Sequence, residues 1–340
     1  MKAVKCKIQI GKYELKEAER IEIVSDREKL GDSCSIQLPK NLQWGKKELS
    51  LEKEDLLKVG TPVVVFLGYD KKLHKRFSGF ISESTLDDIV TIKCEDGVSK
   101  LKEQTVEAFS LTDDATFEDL IKKIFKGNES LLDSRVQQPD LTVGKMRVKS
   151  ASVSDLMRMI KKKFGIQIYF KNGKLSFHSF LSKPSKSHKL DTHENVIKSS
   201  LELVRWEDGK KVLELVNINH VNKQKSVKVG NDGGEVKRIE IQSSEDKSDT
   251  IAFIAMNSIY NELYTGLKGT VSLFGLPVVE HSEAIELKDW DFPDRNGKYW
   301  VKAVSTTLDN QGIRQELTAG RKVDFAFPFD KKKIAADLLI

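Results

Sequence analysis

The chain has 340 residues, of which 39% are hydrophobic and 32% charged, with 57 basic residues against 51 acidic ones. This composition is typical of a folded protein of two or three domains and excludes an intrinsically disordered one. The longest basic runs, residues 161–163 and 331–333, each adjoin apolar residues at helical spacing. They indicate solvated helix faces, so we expect no sequence-specific binding of nucleic acid.

The N-terminal residues alternate between polar and apolar types and contain no continuous apolar stretch. No run elsewhere approaches the ~20 apolar residues that cross a bilayer. We therefore expect neither a secretory leader nor membrane insertion. The three cysteines, Cys6, Cys34 and Cys94, are odd in number and lie in strand-like segments. We expect buried, reduced thiols in a chain that folds in a reducing cytoplasm.

Residues 1–99 are dominated by short segments of alternating polarity that are typical of β-strands. These segments are residues 5–10, 19–24, 33–38, 62–67, 76–81 and 89–94. Turn-forming residues separate them at 30–32, 68–70 and 86–88. Short, regularly spaced strands favour a small antiparallel barrel, because closure removes exposed edges. The sequence predicts a first β-barrel domain over 1–99.

From residue 95 the apolar spacing becomes helical, and residues 98–103 form a short helix candidate. Thr116 and Asp119 have the spacing of a capping box, which predicts a helix that begins at Thr116 and ends at Gly127. A second helix is predicted to begin at Ser152 or Ser154 and to end at Gly165.

A strand is predicted at residues 145–149, before the second helix, and a hairpin with its turn at Asn172 and Gly173 after it. Together these elements predict a small α/β domain over 100–182.

Residues 182–194 are polar and are predicted to be a linker. Alternation then returns, interrupted by one helix at 249–263 and a turn at 231–234. The predicted strands are residues 197–205, 212–221, 225–229, 236–242, 269–274, 284–287, 299–308 and 315–320. We predict a second β-barrel domain over 183–325 and a C-terminal tail over 326–340. The fold class is therefore mainly β, with two small antiparallel barrels flanking an α/β insert.

No catalytic, cofactor-binding or metal-binding residue is assigned from the sequence. The chain lacks a nucleophile elbow, a P-loop and a glycine-rich dinucleotide loop. The histidines never occur as an HxxxH pair or beside two cysteines, so their spacing indicates no zinc site. They are His74, His178, His188, His193, His220 and His281. His188 and His193 fall in the predicted linker and are expected at the surface.

Three acidic clusters could act as acid–base groups or metal ligands, but each has a simpler interpretation. Two of them, 87–88 and 113–114, immediately precede a predicted strand or helix, where aspartate forms turns and caps. The third loosely resembles a calcium loop without its spacing or its distal glutamate, and a turn is the favoured interpretation. Its residues are Asp289, Asp291, Asp294, Asn296 and Gly297. A pair of distant carboxylates across a cleft, as in a glycosidase, stays open at this point.

Residues 59–83 resemble the signature of phage late control D and baseplate hub proteins. In this family a strand ends in a Gly-Tyr-Asp turn, here 68–70, and the next strand carries an aromatic-x-Gly-aromatic run, here 77–80. Residues 297–321 are similar to the closing strands of the family's second barrel, and residues 269–287 to the strand–turn–strand before them. The similar segments follow one another in the family's order over most of the chain.

The resemblance implies a structural hub of a contractile, Mu-like phage tail, related to the hub part of type VI secretion spike proteins. Three copies would form a ring that adapts a sixfold tail tube to a threefold spike. The implied partners are tube and spike proteins, the implied location is the virion baseplate, and assembly would take place in the host cytoplasm. No enzymatic activity, cofactor or small-molecule substrate is implied.

Two other functions stay open from the sequence. One is a tail-associated peptidoglycan hydrolase, which a lysis assay would reveal. The other is a carbohydrate-binding β module, which would be expected to carry a row of exposed aromatic side chains. The four tryptophans, Trp44, Trp206, Trp290 and Trp300, are scattered along the sequence instead.

Overall fold

The structure, a computed structural model, describes most of the chain and shows a mainly β protein. The described residues are 3–39, 41–44, 47–50, 57–132, 141–171, 173–209, 211–218, 223–230, 233–241, 248–325 and 329–339. No helix in these ranges is both long and apolar enough to span a membrane.

The described part of the N-terminal third contains nine strands. They are β1 (Val4–Ile10), β2 (Tyr13–Leu15), β3 (Arg20–Asp26), β4 (Ser33–Pro39), β5 (Asn41–Trp44), β6 (Lys47–Ser50), β7 (Pro62–Tyr69), β8 (Lys72–Thr85) and β9 (Ile89–Glu95).

The middle of the chain alternates helices with short strands. Its elements are α1 (Val98–Glu103), β10 (Thr105–Val106), β11 (Phe109–Leu111), α2 (Phe117–Ile124), β12 (Met146–Val148), β13 (Ala151–Ser152), α3 (Val153–Phe164), β14 (Gln167–Lys171) and β15 (Lys174–His178).

The C-terminal part returns to strands, and its described residues include two helices. Its elements are β16 (Ser187–Asp191), β17 (Val196–Val204), β18 (Lys211–Ile218), β19 (Gln224–Gly230), β20 (Glu235–Ile241), α4 (Ser248–Glu262), β21 (Gly266–Phe274), β22 (Ala284–Lys288), β23 (Gly297–Asp309), β24 (Gly312–Lys322) and α5 (Lys331–Leu338).

Strands from both ends of the chain form one large, almost entirely antiparallel sheet of 13 strands. Its main order is β17-β21-β24-β23-β3-β4-β9-β8-β7-β1-β2, and β22 and β16 extend from β23. The predicted mainly β, antiparallel fold is present, but the predicted closure into two barrels is not found within the described residues. The reason lies in β3, which pairs with β4 along one edge and with β23 along the other. A separate N-terminal barrel would need this edge of β3 in order to close, but here the edge pairs with the C-terminal strand β23.

Two apolar cores nevertheless lie along this sheet. One is formed by the N-terminal strands and includes the fully buried Ile8, Ile36 and Val65, together with Leu308 and Ile313 from β23 and the start of β24. The other is formed by the C-terminal strands alone. The first core therefore receives side chains from both ends of the chain, which couples the folding of the two regions.

The close approach of strands explains one glycine of the aromatic-x-Gly-aromatic motif. A Cβ atom at Gly79 on β8 would lie 2.2 Å from the carbonyl oxygen of Glu95 on β9, a distance that sterics forbid. Asp70, in the turn after β7, has a positive φ of 52°. Both features of the predicted signature therefore have a local structural cause.

The helices of the middle region begin where the sequence predicts, but α2 ends at Ile124, before the predicted end at Gly127. The Thr116 hydroxyl accepts the Asp119 N–H at 3.1 Å, and the Asp119 carboxylate accepts the Thr116 N–H at 2.9 Å, which completes the predicted capping box. Ser152 is the N-cap of α3, and Gly165 is its C-cap with a φ of +66°. The hairpin pairs β14 with β15 as predicted, although Asn172 in its turn lies outside the described residues.

The largest core joins the middle region to elements further along the chain. It contains Phe117 and Phe164, whose rings meet edge-on at 5.6 Å, and also Leu213 on β18 and Ile251 and Ile259 on α4. Strand β18 pairs antiparallel with β19 and parallel with β20, so the predicted turn at 231–234 connects two strands that do not pair with each other. Asn231 and Asp232 of that turn lie outside the described residues. The domain boundaries at 99, 182 and 325 stay predictions.

The polar segment 182–194 contains a strand, so the prediction of an irregular linker is wrong there. Strand β16 pairs in parallel with β22, with His188 opposite Ile285 and Leu190 opposite Leu287. His188 and Leu190 point inwards and are 5% and 1% exposed. A five-residue strand with a single apolar side chain gives too weak an alternation to be recognised in the sequence.

Candidate functional site

The candidate site is a polar junction at which the N-terminal strands, the α/β region and the C-terminal strands meet. Its backbone frame is the β3–β23 pairing, which runs from Ile21 opposite Leu308 to Asp26 opposite Ala303. Around this frame lies a small cavity, lined by side chains from all three regions. We call this arrangement the junction; its polar members include Asp32, Arg76, Asp96, Lys171, Glu280 and His281.

Gln315 on β24 holds the loop between β21 and β22 against this junction. Its side chain is fully buried, and its amide nitrogen donates to the carbonyl oxygens of Phe274 at 3.0 Å and Pro277 at 2.7 Å. Its amide oxygen accepts the N–H of Val279 at 3.2 Å and a guanidinium N–H of Arg76 at 2.9 Å. These four hydrogen bonds connect Gln315 to the end of β21, to the loop that follows it, and to Arg76 in the N-terminal strands.

Two residues of the predicted hub signature complete this clamp. Arg76 on β8 also donates to the carbonyl oxygen of Gly275, and the Tyr69 hydroxyl accepts the N–H of Gly275 at 3.0 Å. Burial lowers the pKa of Arg76 to about 10, so the guanidinium remains charged at neutral pH. The clamp is therefore a charge-assisted connection between the two ends of the chain.

Asp96, which is buried, and Asp32, whose side chain is 21% exposed, form a carboxyl pair in the junction. Asp96 accepts the N–H groups of Asp32 at 2.9 Å and of Val98 at 3.0 Å, and Asp32 accepts the Ser25 hydroxyl at 2.9 Å. Burial, followed by the charge of Asp96, raises the pKa of Asp32 to about 7. Burial likewise raises the pKa of Asp96 to about 6. The pair therefore gains protons within the physiological pH range.

His281 and Lys171 face the carboxyl pair from the other two regions. The His281 Nε2 lies 3.8 Å from Asp32 Oδ1, and its ring meets Tyr169 edge-on at 4.9 Å. Burial, followed by the charge of Lys171, lowers the pKa of His281 to about 3, so the imidazole is neutral. Lys171 forms an ion pair with Glu280 at 3.1 Å.

A buried hydrogen-bonded contact connects β16 to the same loop. His188 Nε2 and Glu283 Oε2 are 2.7 Å apart, and Glu283 also accepts the N–H of Glu280 at 3.0 Å. Both side chains are more than nine-tenths buried. The expectation of a surface position for His188 is therefore wrong, because β16 turns this residue into the interior.

Another buried cluster brings together Arg27, His178 and Trp300. The guanidinium of Arg27 lies 5.4 Å from the Trp300 ring, and the His178 ring meets the same tryptophan edge-on at 4.7 Å. Burial and the charge of Arg27 lower the pKa of His178 well below its ordinary value. Cation–π and edge-on contacts of this kind fix the relative position of three regions of the chain.

The junction holds parts of the chain together and has little room for a substrate. Its cavity measures about 70 Å³, whereas sites for small molecules usually measure ~300 to 1,000 Å³. Within the described ranges, no group of three or more His, Cys, Asp or Glu side chains is placed to hold a metal ion.

The acidic clusters considered in the sequence lie in turns. Asp87 and Asp88 fall between β8 and β9, where a carboxylate oxygen of Asp87 accepts the N–H of Asp88 at 3.0 Å. The calcium-like segment is a turn, as favoured: Asp289 accepts the N–H groups of Asp291 and Phe292, and a 3₁₀ turn spans Pro293–Arg295. The structure does not bring these clusters to the junction.

The cysteines and tryptophans agree with their simpler interpretations. All three cysteines are buried and free, and burial raises the pKa of Cys6 to about 11 and that of Cys94 to about 12. Trp300 is 2% exposed whereas Trp290 is 52% exposed, so these two do not form a common exposed row. The side chain of Trp44 lies outside the described residues.

Searches by sequence find no protein-family model and no curated protein that matches the chain. Solved structures do match its fold. The tail protein of Neisseria meningitidis MC58 has a TM-score of 0.69 at 13% identity, over 94% of this chain and 97% of that one. The 43 kDa tail protein of prophage MuSo2 from Shewanella oneidensis has a TM-score of 0.65 at 12% identity, over 93% and 98%.

A third similar structure comes from secretion rather than from a phage. It is a component of the E. coli type VI secretion system, described as structurally similar to the T4 bacteriophage tail proteins gp27 and gp5. It has a TM-score of 0.57 at 11% identity, over 97% of this chain and 80% of that one. The chain thus has the fold of phage tail and type VI spike-related proteins, which confirms the resemblance found in the sequence at the level of the fold.

Proposed function

We propose that the chain is the central baseplate hub of a contractile phage-type tail, of the late control protein D type. Three copies would form a ring that connects a sixfold tail tube to a threefold spike. The observation that carries the proposal is the match of nearly the whole chain, through both sheet regions, to nearly whole tail proteins. A partial match to one sheet region would support only a common β module.

The layout of the sheet supports the ring. Each chain carries two sheet regions with separate apolar cores, one at each end of the sequence. Three chains then supply six such regions, the number needed to contact a sixfold tube. A closed ring also satisfies head-to-tail interfaces without growing into a filament.

The junction supports a structural role for the chain and not a catalytic one. Gln315, Arg76 and Tyr69 fix the β21–β22 loop to the N-terminal strands through direct hydrogen bonds. Such a clamp makes the two sheet regions move as one unit, which suits an adaptor that transmits force. We infer that the chain is not an enzyme, and the similar structures are tail proteins by description.

The proposed partners are tube and spike proteins of the same tail, and the proposed location is the baseplate of the virion after assembly in the host cytoplasm. Co-expression with the spike and tube chains tests this directly. We expect both chains to co-purify with the hub through size-exclusion chromatography. Lysis of purified peptidoglycan by the hub alone, lost on replacing a single carboxylate, would instead support the hydrolase.

A further inference from the structure

A groove with a high concentration of positive charge lies on the α/β region, away from the junction. It runs between the end of α3, the start of β14 and strand β20, and encloses about 520 Å³. Five cationic side chains line it, Arg158, Lys161, Lys162, Lys237 and Arg238, with a single carboxylate, Glu262. We call it the cationic groove.

The positive charges of the groove are only weakly neutralised by the chain itself. Lys237 pairs with Glu262 at 2.7 Å, Arg158 with Asp155 at 2.7 Å and Arg238 with Glu240 at 3.5 Å, but these pairs are largely exposed on the cationic side. Lys161 donates to the carbonyl oxygen of Glu28 at 2.6 Å. Exposed ion pairs contribute little and exchange readily with other anions. The five cations that line the groove outnumber its single lining carboxylate, so an acidic ligand that exchanges with these exposed pairs would be attracted to it.

One wall of the groove is an unpaired strand edge. Strand β20 pairs with β18 along one side, and no strand pairs with its other side among the described residues. Lys237, Arg238 and Ile239 of this strand line the groove. A free edge presents backbone N–H and C=O groups at strand spacing, which is the usual template for addition of an extended peptide.

The opposite wall contains a polar atom that needs a donor. The side-chain oxygen of Gln167, at the start of β14, is buried and has no hydrogen-bond partner in the structure. Gln167 lines the cationic groove. A buried acceptor without a partner is unfavourable, so a donor supplied by a ligand would stabilise the bound state.

We propose that the cationic groove binds an extended, acidic segment of a partner protein, added as a further strand along β20. The charges select the acidic side chains, and the strand edge selects an extended peptide backbone. A nucleic acid could use the charges, but it has no backbone that pairs with a strand edge. The inference goes beyond the hub role and does not depend on it, because it requires only the folded monomer.

A fluorescein-labelled octapeptide of alternating glutamate and valine is a suitable probe, with fluorescence anisotropy as the readout. We expect saturable binding that weakens with added salt. The double variant Lys162→Glu/Arg238→Glu should bind about tenfold more weakly, since two attractive contacts become repulsive. The matched control Lys198→Glu/Lys268→Glu reverses two exposed charges on β17 and β21, outside the groove, and should bind like the parent protein.

Backbone methylation of the probe tests the strand addition separately from charge. Only alternate N–H groups of an added strand face the sheet. Methylation of one alternate set should abolish binding, and methylation of the other set should leave it unchanged. Equal binding by both methylated probes would overturn the proposal, as would the absence of saturable binding. Tighter binding of a single-stranded oligonucleotide of equal charge, lost in the groove variant, would also overturn it.

Discussion

Gln315 accepts a hydrogen bond from Arg76 at 2.9 Å, although 239 residues separate the two in the sequence. Arg76 lies on the strand that follows the Gly-Tyr-Asp turn, and Gln315 lies on the last strand of the sheet. Each side chain also binds the β21–β22 loop. The buried Gln315 side chain thus connects both sheet regions to the β21–β22 loop. This connection leads to the first prediction.

Replacing Gln315 by leucine should destabilise the protein by about 3 kcal/mol, because buried backbone and guanidinium groups lose their partner. Urea unfolding followed by tryptophan fluorescence measures the change. Gln311→Leu, on the exposed turn before β24, is the matched control and should stay within about 0.5 kcal/mol of the parent. Equal stability of the two variants would mean that the amide is not a connecting element.

The carboxyl pair predicts an unusual dependence of stability on pH. The pKa of Asp32 is raised to about 7 in the folded state from ~3.9 in an unfolded chain. The folded state therefore binds more protons than the unfolded one between these values. The contribution of Asp32 to stability is fully present below pH ~4 and is lost as the pH rises through ~7.

Asp32→Asn should remove this dependence, since the amide stays neutral and can still accept the Ser25 hydroxyl. We expect the variant to be more stable than the parent by about 2 kcal/mol at pH 8, and the difference to shrink towards pH 4. Asp88→Asn removes an exposed carboxylate from the β8–β9 turn and serves as the control. A variant that is less stable than the parent by the same amount at both pH values would contradict the assignment.

The capping box at the start of α2 allows a prediction that depends on local structure alone. Thr116→Ala removes the hydroxyl that accepts the Asp119 N–H and should lower the free energy of unfolding by about 1 kcal/mol. Thr112→Ala, at an exposed position just before the helix, should have an effect below about 0.5 kcal/mol. Chemical denaturation of both variants measures the two changes. Equal stability of Thr116→Ala and Thr112→Ala would mean that the Thr116 hydroxyl does not stabilise the helix.

Local features of this fold could be predicted from the sequence because their causes are local. The capping box at Thr116, the N-cap at Ser152 and the left-handed Gly165 each depend on a few neighbouring residues. Most of the alternating segments likewise match a strand of the structure, with ends that differ by one or two residues.

Long-range pairing could not be predicted in the same way. The pairing of β3 with β23 depends on partners that lie about 280 residues apart, and no periodic pattern in the sequence indicates it. The junction was missed for a related reason. Gln315 and Asp32 occur in stretches that resemble ordinary strand and turn residues. Only the folded structure shows that Gln315 is fully buried and that Asp32 lines the cavity.

The mass and symmetry of the purified particle test the central claim most directly. Multi-angle light scattering across a wide concentration range, alone and with the spike chain, gives the mass, and negative-stain averages give the symmetry. We predict a particle of three times 38.5 kDa with a threefold axis and a central channel. The spike chain should stabilise it where the subunit concentration is low. A monomer under every condition, or a twofold dimer without a threefold particle, would contradict the ring.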